Sequence, residues 1–537
     1  MHLELKPISQ IAQELEIPEN LLNLCGTFKS KITLGVLNHF GTKRGKLVLV
    51  TAVTPTPYGE GKTVTSIGLS SALSKLGRRS VVCLRQPSLG PLFGVKGGAA
   101  GGGRATVEPM QEINMRFTGD IDAMAAAHNL LSSMIDNHIF HGNELKISPQ
   151  SVTWKRTVDM NDRALRQVRV GLENSDKSVP RDDGYVITAA SEVMSLLCLS
   201  ESYADIRERL GRIVVGYNTS GEAVRAADLR ANGAMAALLK EALQPNLCQT
   251  SEGTPAIVHG GPFGNVSTGT CSLVSILTGV RVADYCVVEA GFGSDLGAEK
   301  FFDIVSQAGK FNVDAAVLVV SVRGLKHHSQ GSPSMKEGLE NLEKHIENIK
   351  TFGLVPVIAV NRFPADTDEE IRTVENACKN LGTSFAVSTV FECGAAGATD
   401  LAQLVIEAAD KGYVSRPIYN PQESAEEKIR KIVTRIYGAE GADYEKSATE
   451  DLSIISKLGF GGLPVCVAKT ALSLSDDPKK LGRPRSFRVN VSGVALASGA
   501  GLNIAHMGDI MTMPGLPKHP AAENIELLDD GTITGIF

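Results

Sequence analysis

Thr56-Pro57-Tyr58-Gly59-Glu60-Gly61-Lys62-Thr63 sets a lysine and a threonine directly behind two glycines, the residue types of a loop that cradles phosphate. In such a loop, backbone N–H groups and the N-terminus of the next helix face the anion, because both carry positive partial charge. Lys62 would reach the terminal phosphates of a nucleoside triphosphate, and the Thr63 hydroxyl would ligate the accompanying magnesium. Thr56 stands where the common pattern has its first glycine. An ordinary glycine turn ahead of a helix competes for the same residues.

A second group of polar residues follows the next strand. Arg85-Gln86-Pro87-Ser88-Leu89-Gly90-Pro91 leads into the glycine-rich run from Val95 and Lys96 to Arg104. Glycines beside basic residues let the backbone approach an anionic substrate, whereas a plain linker rarely places arginine at a strand end. Phe117-Thr118-Gly119-Asp120 offers a carboxylate to orient a substrate or ligate magnesium, although an Asp in a turn is commonly a cap. His128, His138 and His141 share a helical stretch without the further ligand spacing of a zinc site, so local hydrogen bonding or site lining is expected of them. Lys326-His327-His328 lies beyond another strand and reads equally as site lining or solvated loop. Phe363-Pro364 and Phe391 close two more strands, where flat aromatic faces suit stacking on a planar heterocycle, with core packing as the alternative.

The elements that must position these groups alternate. Apolar runs at Leu47–Val53, Ser80–Leu84, Ala256–Val258, Tyr285–Val288, Ala315–Val320, Val355–Val360 and Phe385–Val387 read as buried strands. Helical patterns lie between several of them, the clearest over 335–352 and stopped by Gly353. The expected fold is α/β: a phosphate-loop-type, largely parallel sheet with helices on both faces, plus smaller α/β lobes towards the C-terminus. Ligands of such sheets gather beyond the carboxyl ends of the strands. The expected division is a nucleotide-binding domain over 1–360, an α/β domain over 361–450, and a smaller lobe over 451–537.

Composition narrows the setting. With 537 residues, 43% hydrophobic and 21% charged, the chain can bury a large core without staples. A net charge of −5 leaves no electrostatic footprint for nucleic acid or an anionic membrane. Nine scattered cysteines, with no C-x-x-C pair, suit reduced thiols and a cytoplasmic location. No apolar stretch approaches a membrane span, and neither a signal nor a transit peptide is expected at the N-terminus.

Taken together these segments resemble the formate–tetrahydrofolate ligase family, also called 10-formyltetrahydrofolate synthetases, over nearly the whole chain. The resemblance is carried by Thr54 to Pro57 with Gly59 to Thr63, Pro87 to Pro91, Lys96 to Gly103, Phe117 to Asp120, and Ala126 to Leu131. It continues through Trp154 to Arg156, Glu289 to Gly293, Asn361 to Pro364, Ser473 to Pro478, and Met511 to Pro517. It implies an ATP-dependent ligation in which formate attacks the γ-phosphate of MgATP. The resulting formyl phosphate gives its formyl group to N10 of tetrahydrofolate, leaving 10-formyltetrahydrofolate, ADP and phosphate. By the same resemblance Arg85 holds formyl phosphate, Lys62 serves the transferring phosphate, and Asp120 positions the intermediate or manages a proton. Phe292, Phe363, Pro364 and Phe391 would line the pterin site. A homotetramer responsive to K⁺ or NH₄⁺ is implied as well.

This chain departs from the family pattern at several places. Gln86 replaces a usual Glu, Phe391 a usual Trp, and Gly394 to Ala398 alter a glycine-rich run that normally carries a glutamate. Ser267-Thr268 replaces Ala-His, Gly264 stands where Ala is common, and Ala471-Leu472 replaces Gln-Tyr. These changes define the competing expectation, a divergent paralogue that binds nucleotide or folate without this turnover. A partition-type phosphate-loop ATPase is a third reading, resting on the loop alone.

Overall fold

A computed structural model of the chain describes residues 5–42, 44–96, 100–173, 177–332, 334–508 and 510–536. Part of the glycine-rich run, residues 97–99, thus lies outside the described residues. Eight strands form the body of one large sheet: β1 (Lys46–Ala52), β2 (Ser80–Leu84), β3 (Asn246–Thr250), β4 (Pro255–Val258), β5 (Tyr285–Glu289), β6 (Ala315–Val320), β7 (Val357–Asn361) and β8 (Ser384–Ser388). Their spatial order is β3-β4-β2-β5-β1-β6-β7-β8, with Ser30–Ile32 and Leu22–Leu24 continuing past β3. All pairings from β4 to β8 are parallel, and β3 runs antiparallel to β4. The sheet crosses residue 360 without a break, since β8 pairs along β7.

The helices that concern the site are α1 (Lys62–Lys75), α2 (Asp120–Phe140), α3 (Leu273–Val282), α4 (Val322–His328), α5 (Lys336–Thr351) and α6 (Thr399–Asp410). Alternate strand residues feed opposite faces, as the period-two geometry of a strand requires. Leu47, Leu49, Val81, Cys83, Cys286 and Val288 join α3 on one face. Val48, Val50, Val82, Leu84 and Val287 join α1 and α6 on the other. Covered on both sides, the strands have no polar face, which is why their sequences read as unbroken apolar runs.

Helix α1 is buried from Thr65 to Leu73. Gly68 lets it press onto the loop after β8, because a methyl group built there would fall 2.2 Å from Val390 Cγ1. Helix α5 ends where the sequence indicates, with Phe352 as its C-cap and Gly353 at φ +96°. A C-terminal lobe adds a three-stranded sheet of Val465–Lys469, Leu502–Met507 and Gly493–Ala497, and Gly441–Tyr444 pairs with Arg488–Val491. Among the described residues no helix is long and apolar enough to cross a membrane.

Gly68→Ala should lower the thermal unfolding midpoint. The clash with Val390 costs about 1–3 kcal/mol, against a helix-propensity gain of about 1 kcal/mol. Adding Val390→Ala should recover the loss in a calorimetric scan, and a raised midpoint in the single variant would contradict this packing.

Candidate active site at the carboxyl edge of the sheet

The phosphate-type loop leaves β1 and is held from behind before any ligand arrives. Thr54 is pinned at three atoms. Its N–H donates to His345 Nε2 (2.8 Å), its carbonyl accepts from His328 Nε2 (2.9 Å), and its Oγ1 accepts from Asn341 Nδ2 (3.0 Å). A backbone N–H can only donate, so His345 carries its proton on Nδ1, which donates to Ser294 Oγ (2.7 Å). Burial lowers the His345 pKa to about 3, which keeps this arrangement neutral.

Further along, the Glu60 side chain folds under the loop. Its Oε1 accepts from Thr56 N (3.2 Å) and Thr56 Oγ1 (2.9 Å), and its Oε2 from Ser321 Oγ (2.5 Å). The Glu60 carbonyl accepts from Asn361 Nδ2 (3.2 Å). Gly59 and Gly61 adopt φ +75° and +79°, and a side chain at Gly61 would collide with Asn361 Nδ2, 2.1 Å from the added carbon. Here glycine is required by both conformation and space.

At the front of the loop the charged groups converge on adjacent strand ends. Thr63 Oγ1 donates to Glu289 Oε2 (2.7 Å), joining the first turn of α1 to the last residue of β5. The Lys62 ammonium is pushed below the ordinary lysine range by desolvation first. Glu289 and Glu60 oppose that shift, and the positive charge of Arg85 adds to it. Arg85 follows β2 and donates from Nη1 to the Pro262 carbonyl (3.4 Å). A side chain at Gly291 would lie 3.1 Å from Arg85 Nη2, so the glycine beyond β5 makes room for the guanidinium. Lys62, Arg85, Thr63 and Glu289 therefore share one patch of the sheet edge.

Magnesium fits this patch. Thr63 and Glu289 are hard oxygen donors, and a single carboxylate leaves positions for water and phosphate oxygens, the arrangement this ion prefers. Among the described residues no three His, Cys, Asp or Glu side chains are grouped to hold a metal by themselves.

Asp120 is placed differently. It is the first residue of α2 and is buried. Lys31 Nζ donates to its Oδ1 (2.6 Å) and Asn246 Nδ2 to its Oδ2 (2.7 Å). Lys31 also donates to Asn246 Oδ1 (3.0 Å) and the Gln244 carbonyl (3.1 Å). Both carboxylate oxygens are thus engaged inside the protein, beside β3.

The aromatic residues divide. Phe292, at φ +58°, lines a cavity of about 630 Å³ with Asn265, Ala471, Asp477, Met507 and Met511. Phe363, beyond β7, lies under the guanidinium of Arg323, whose Cζ is 3.8 Å from the ring centroid. Pro364 is exposed beside it. Phe391, beyond β8, is 56% exposed, so its face is open rather than part of the core. Its carbonyl accepts from Arg104 N (2.9 Å), and Gly102 and Gly103 pack against its ring. The described end of the glycine-rich run therefore sits by Phe391 and α1.

The histidines have structural partners. His128 stacks on Trp154 at 4.2 Å between centroids and bonds Ser191 Oγ and the Lys155 carbonyl, with its pKa lowered to about 4 by burial. His138 Nε2 accepts from Leu145 N. Glu289, Ser321, Arg323 and Asn361 stand in unusual sequence at three strand ends, where ligands gather, but sequence gives none of them a role, and His345 carries no such signal. For the first four the available signal was position, as polar residues closing or directly following strands that are otherwise apolar.

Residues 1–537 match the family model described as Formate--tetrahydrofolate ligase. A protein of Caldicellulosiruptor saccharolyticus named Formate--tetrahydrofolate ligase is 49% identical over 545 residues, covering 99% of this chain and 98% of its own length.

Glu289→Gln should weaken catalysis with MgATP by about 10²–10³-fold, the scale for losing one charged group at a transferring phosphate. Because Glu289 raises the Lys62 pKa, its neutralisation should also move the alkaline loss of ATP affinity to lower pH. A calorimetric pH series on both proteins checks the direction. An unchanged or higher alkaline limit would contradict the pairing.

Proposed function

The chain belongs to the formate–tetrahydrofolate ligase family, and on that premise we propose that its ATP-dependent joining of formate to tetrahydrofolate runs in two steps at this edge of the sheet. Formate oxygen attacks the γ-phosphorus of ATP, the bond to the β,γ-bridging oxygen breaks, and ADP leaves. The N10 amine of tetrahydrofolate then attacks the formyl carbon. The carbon–oxygen bond to phosphate breaks, and the proton lost from nitrogen passes to base, giving 10-formyltetrahydrofolate.

The observation that carries this reading is the gathering of Lys62, Arg85 and the Thr63–Glu289 pair around one helix N-terminus. Phosphoryl transfer demands positioning and charge neutralisation more than covalent help, and this patch supplies both. The Thr63 hydroxyl and the Glu289 carboxylate would hold magnesium, which would neutralise charge developing on the phosphates. Lys62 and Arg85 sit where they can hold the transferring group, first on ATP and then as the mixed anhydride. Asp120, with both oxygens engaged, acts as a positioning residue that fixes the start of α2 against β3. Phe363 and Phe391 offer ring faces for the pterin, and Phe292 borders the cavity on the other side of the loop. Homotetrameric assembly, a cytoplasmic setting and use of K⁺ or NH₄⁺ belong to the same proposal and rest on the family resemblance.

A second reading, binding without turnover, is favoured by one observation. Gln86 stands directly after Arg85, is buried, and its Oε1 has no partner among the described residues. A carboxylate there would balance the arginine, which an amide does not.

Incubation with MgATP, formate and tetrahydrofolate should yield acid-generated methenyl-folate absorbance. Lys62→Ala should remove at least about 10³-fold of the rate. Calorimetric binding of ATP and tetrahydrofolate by a folded protein that makes no product would favour the second reading instead.

A further inference from the structure

Arg323 touches both sides of the site at once. Its Nη2 donates to the carbonyls of Tyr58 (3.1 Å) and Gly59 (3.0 Å), on the loop that bears Lys62. Its Cζ lies 3.8 Å from the centre of the Phe363 ring and 5.7 Å from that of Tyr58. Two backbone acceptors and a centred ring at stacking distance together hold this guanidinium in one orientation. The residue is also anchored from the loop side. Ser321, the N-cap of α4, donates to Glu60 Oε2 and accepts from Gly324 N (3.1 Å).

The strand order explains the reach. The loop follows β1, Arg323 follows β6, and Phe363 follows β7, three neighbouring strands about 4.8 Å apart. Arg323 is thus the middle of three consecutive strand ends. A charged donor polarises the peptides whose carbonyls it holds. The Tyr58 carbonyl shares its peptide with the Gly59 N–H, which closes the turn onto the Thr56 carbonyl (3.1 Å). The Gly59 carbonyl shares its peptide with the Glu60 N–H. In the preformed loop these two carbonyls hold the guanidinium and the guanidinium holds the Phe363 ring; phosphate accepting from loop N–H groups polarises the same peptides further and strengthens that hold.

We propose that Arg323 is a positioning residue that couples phosphate in the loop to the ring-stacking surface at Phe363, so that filling the loop tightens the binding of the pterin substrate. The proposal rests on the reading that Phe363 receives the pterin. Arginine suits the task, since its permanently charged planar fork can stack on a ring and donate sideways at once. Lysine keeps the charge and a donor but has no plane.

Calorimetry of tetrahydrofolate binding, with and without saturating magnesium pyrophosphate, tests the coupling. Pyrophosphate fills the loop without bringing a base to compete for a ring. In the unmodified protein it should tighten tetrahydrofolate about fivefold or more. Arg323→Lys should abolish that enhancement and raise the KM for tetrahydrofolate about tenfold, while pyrophosphate affinity stays within about threefold. A merely structural role would lower stability without this split between the two ligands. Absence of the enhancement in the unmodified protein, or its persistence in Arg323→Lys, would overturn the proposal. Phe363→Ala separates the two readings. If it leaves tetrahydrofolate affinity unchanged, the pterin assignment itself fails. If it weakens tetrahydrofolate while Arg323→Lys preserves the enhancement, only the role of Arg323 fails.

Discussion

The Glu60 carboxylate, buried beneath the phosphate loop, is the interaction on which the geometry of the site depends. A carboxylate out of water is costly unless donors surround it. Three donors do so here, two from Thr56 at the start of the same turn and one from Ser321 at the end of β6. Neighbouring residues read as consequences of that placement. Gly324 has no side chain because an added carbon would lie 2.7 Å from Glu60 Oε2. Gly61 has none because Asn361 must reach the Glu60 carbonyl. His328 and His345 fix Thr54, and burial keeps both neutral by lowering their pKa values. The loop is thereby held in shape by neighbours rather than by its ligand, which spares reorganisation when phosphate charge develops.

Electrostatic balance at the front of the loop follows from the same frame. Lys62 and Arg85 repel one another, and desolvation penalises the lysine charge further, so the pair is tolerated because Glu289 and Glu60 stand close. On the proposed mechanism an incoming triphosphate supplies the missing negative charge and relieves the repulsion. On the proposed mechanism the same two cations then face a smaller dianionic intermediate, with Thr63 and Glu289 placed for the metal. Asp120 is paired apart from these groups, its Oδ1 lying 2.6 Å from Lys31 Nζ.

Most of the frame was legible in the sequence, for a physical reason. Doubly covered parallel strands must be apolar throughout, so Ala315–Val320 showed itself over the whole length it occupies. The shape of the glycine loop before α1 was legible because glycine at positive φ and lysine at a helix start are demanded locally. Glu289 was harder to read. Its role comes from Thr63, 226 residues earlier, brought beside it only when β5 inserts next to β1. The strand end bearing Arg323 stood out, but its role did not, since its partners are two carbonyls and a ring beyond other strands. Asp120 shows the converse, a residue conspicuous in its motif whose partners, Lys31 and Asn246, lie far away in the chain.

The two halves of the edge differ in cover, and the difference matters for a labile intermediate. On the Arg85 and Glu289 side, Asp295 beyond β5 pairs with Lys469 of the C-terminal lobe at 2.8 Å, and both side chains are fully buried. That pair ties the lobe down over the strand ends next to Arg85. On the other side Tyr58 is 65% and Phe391 56% exposed. On the proposed mechanism the mixed anhydride, which hydrolyses readily, would be kept on the covered half. A planar substrate that must enter and leave at each turnover needs the opposite, an open ring face. The sheet edge provides both within six adjacent strands, with the phosphate loop between them, so charge transfer and ring exchange can proceed without sharing the same degree of exposure.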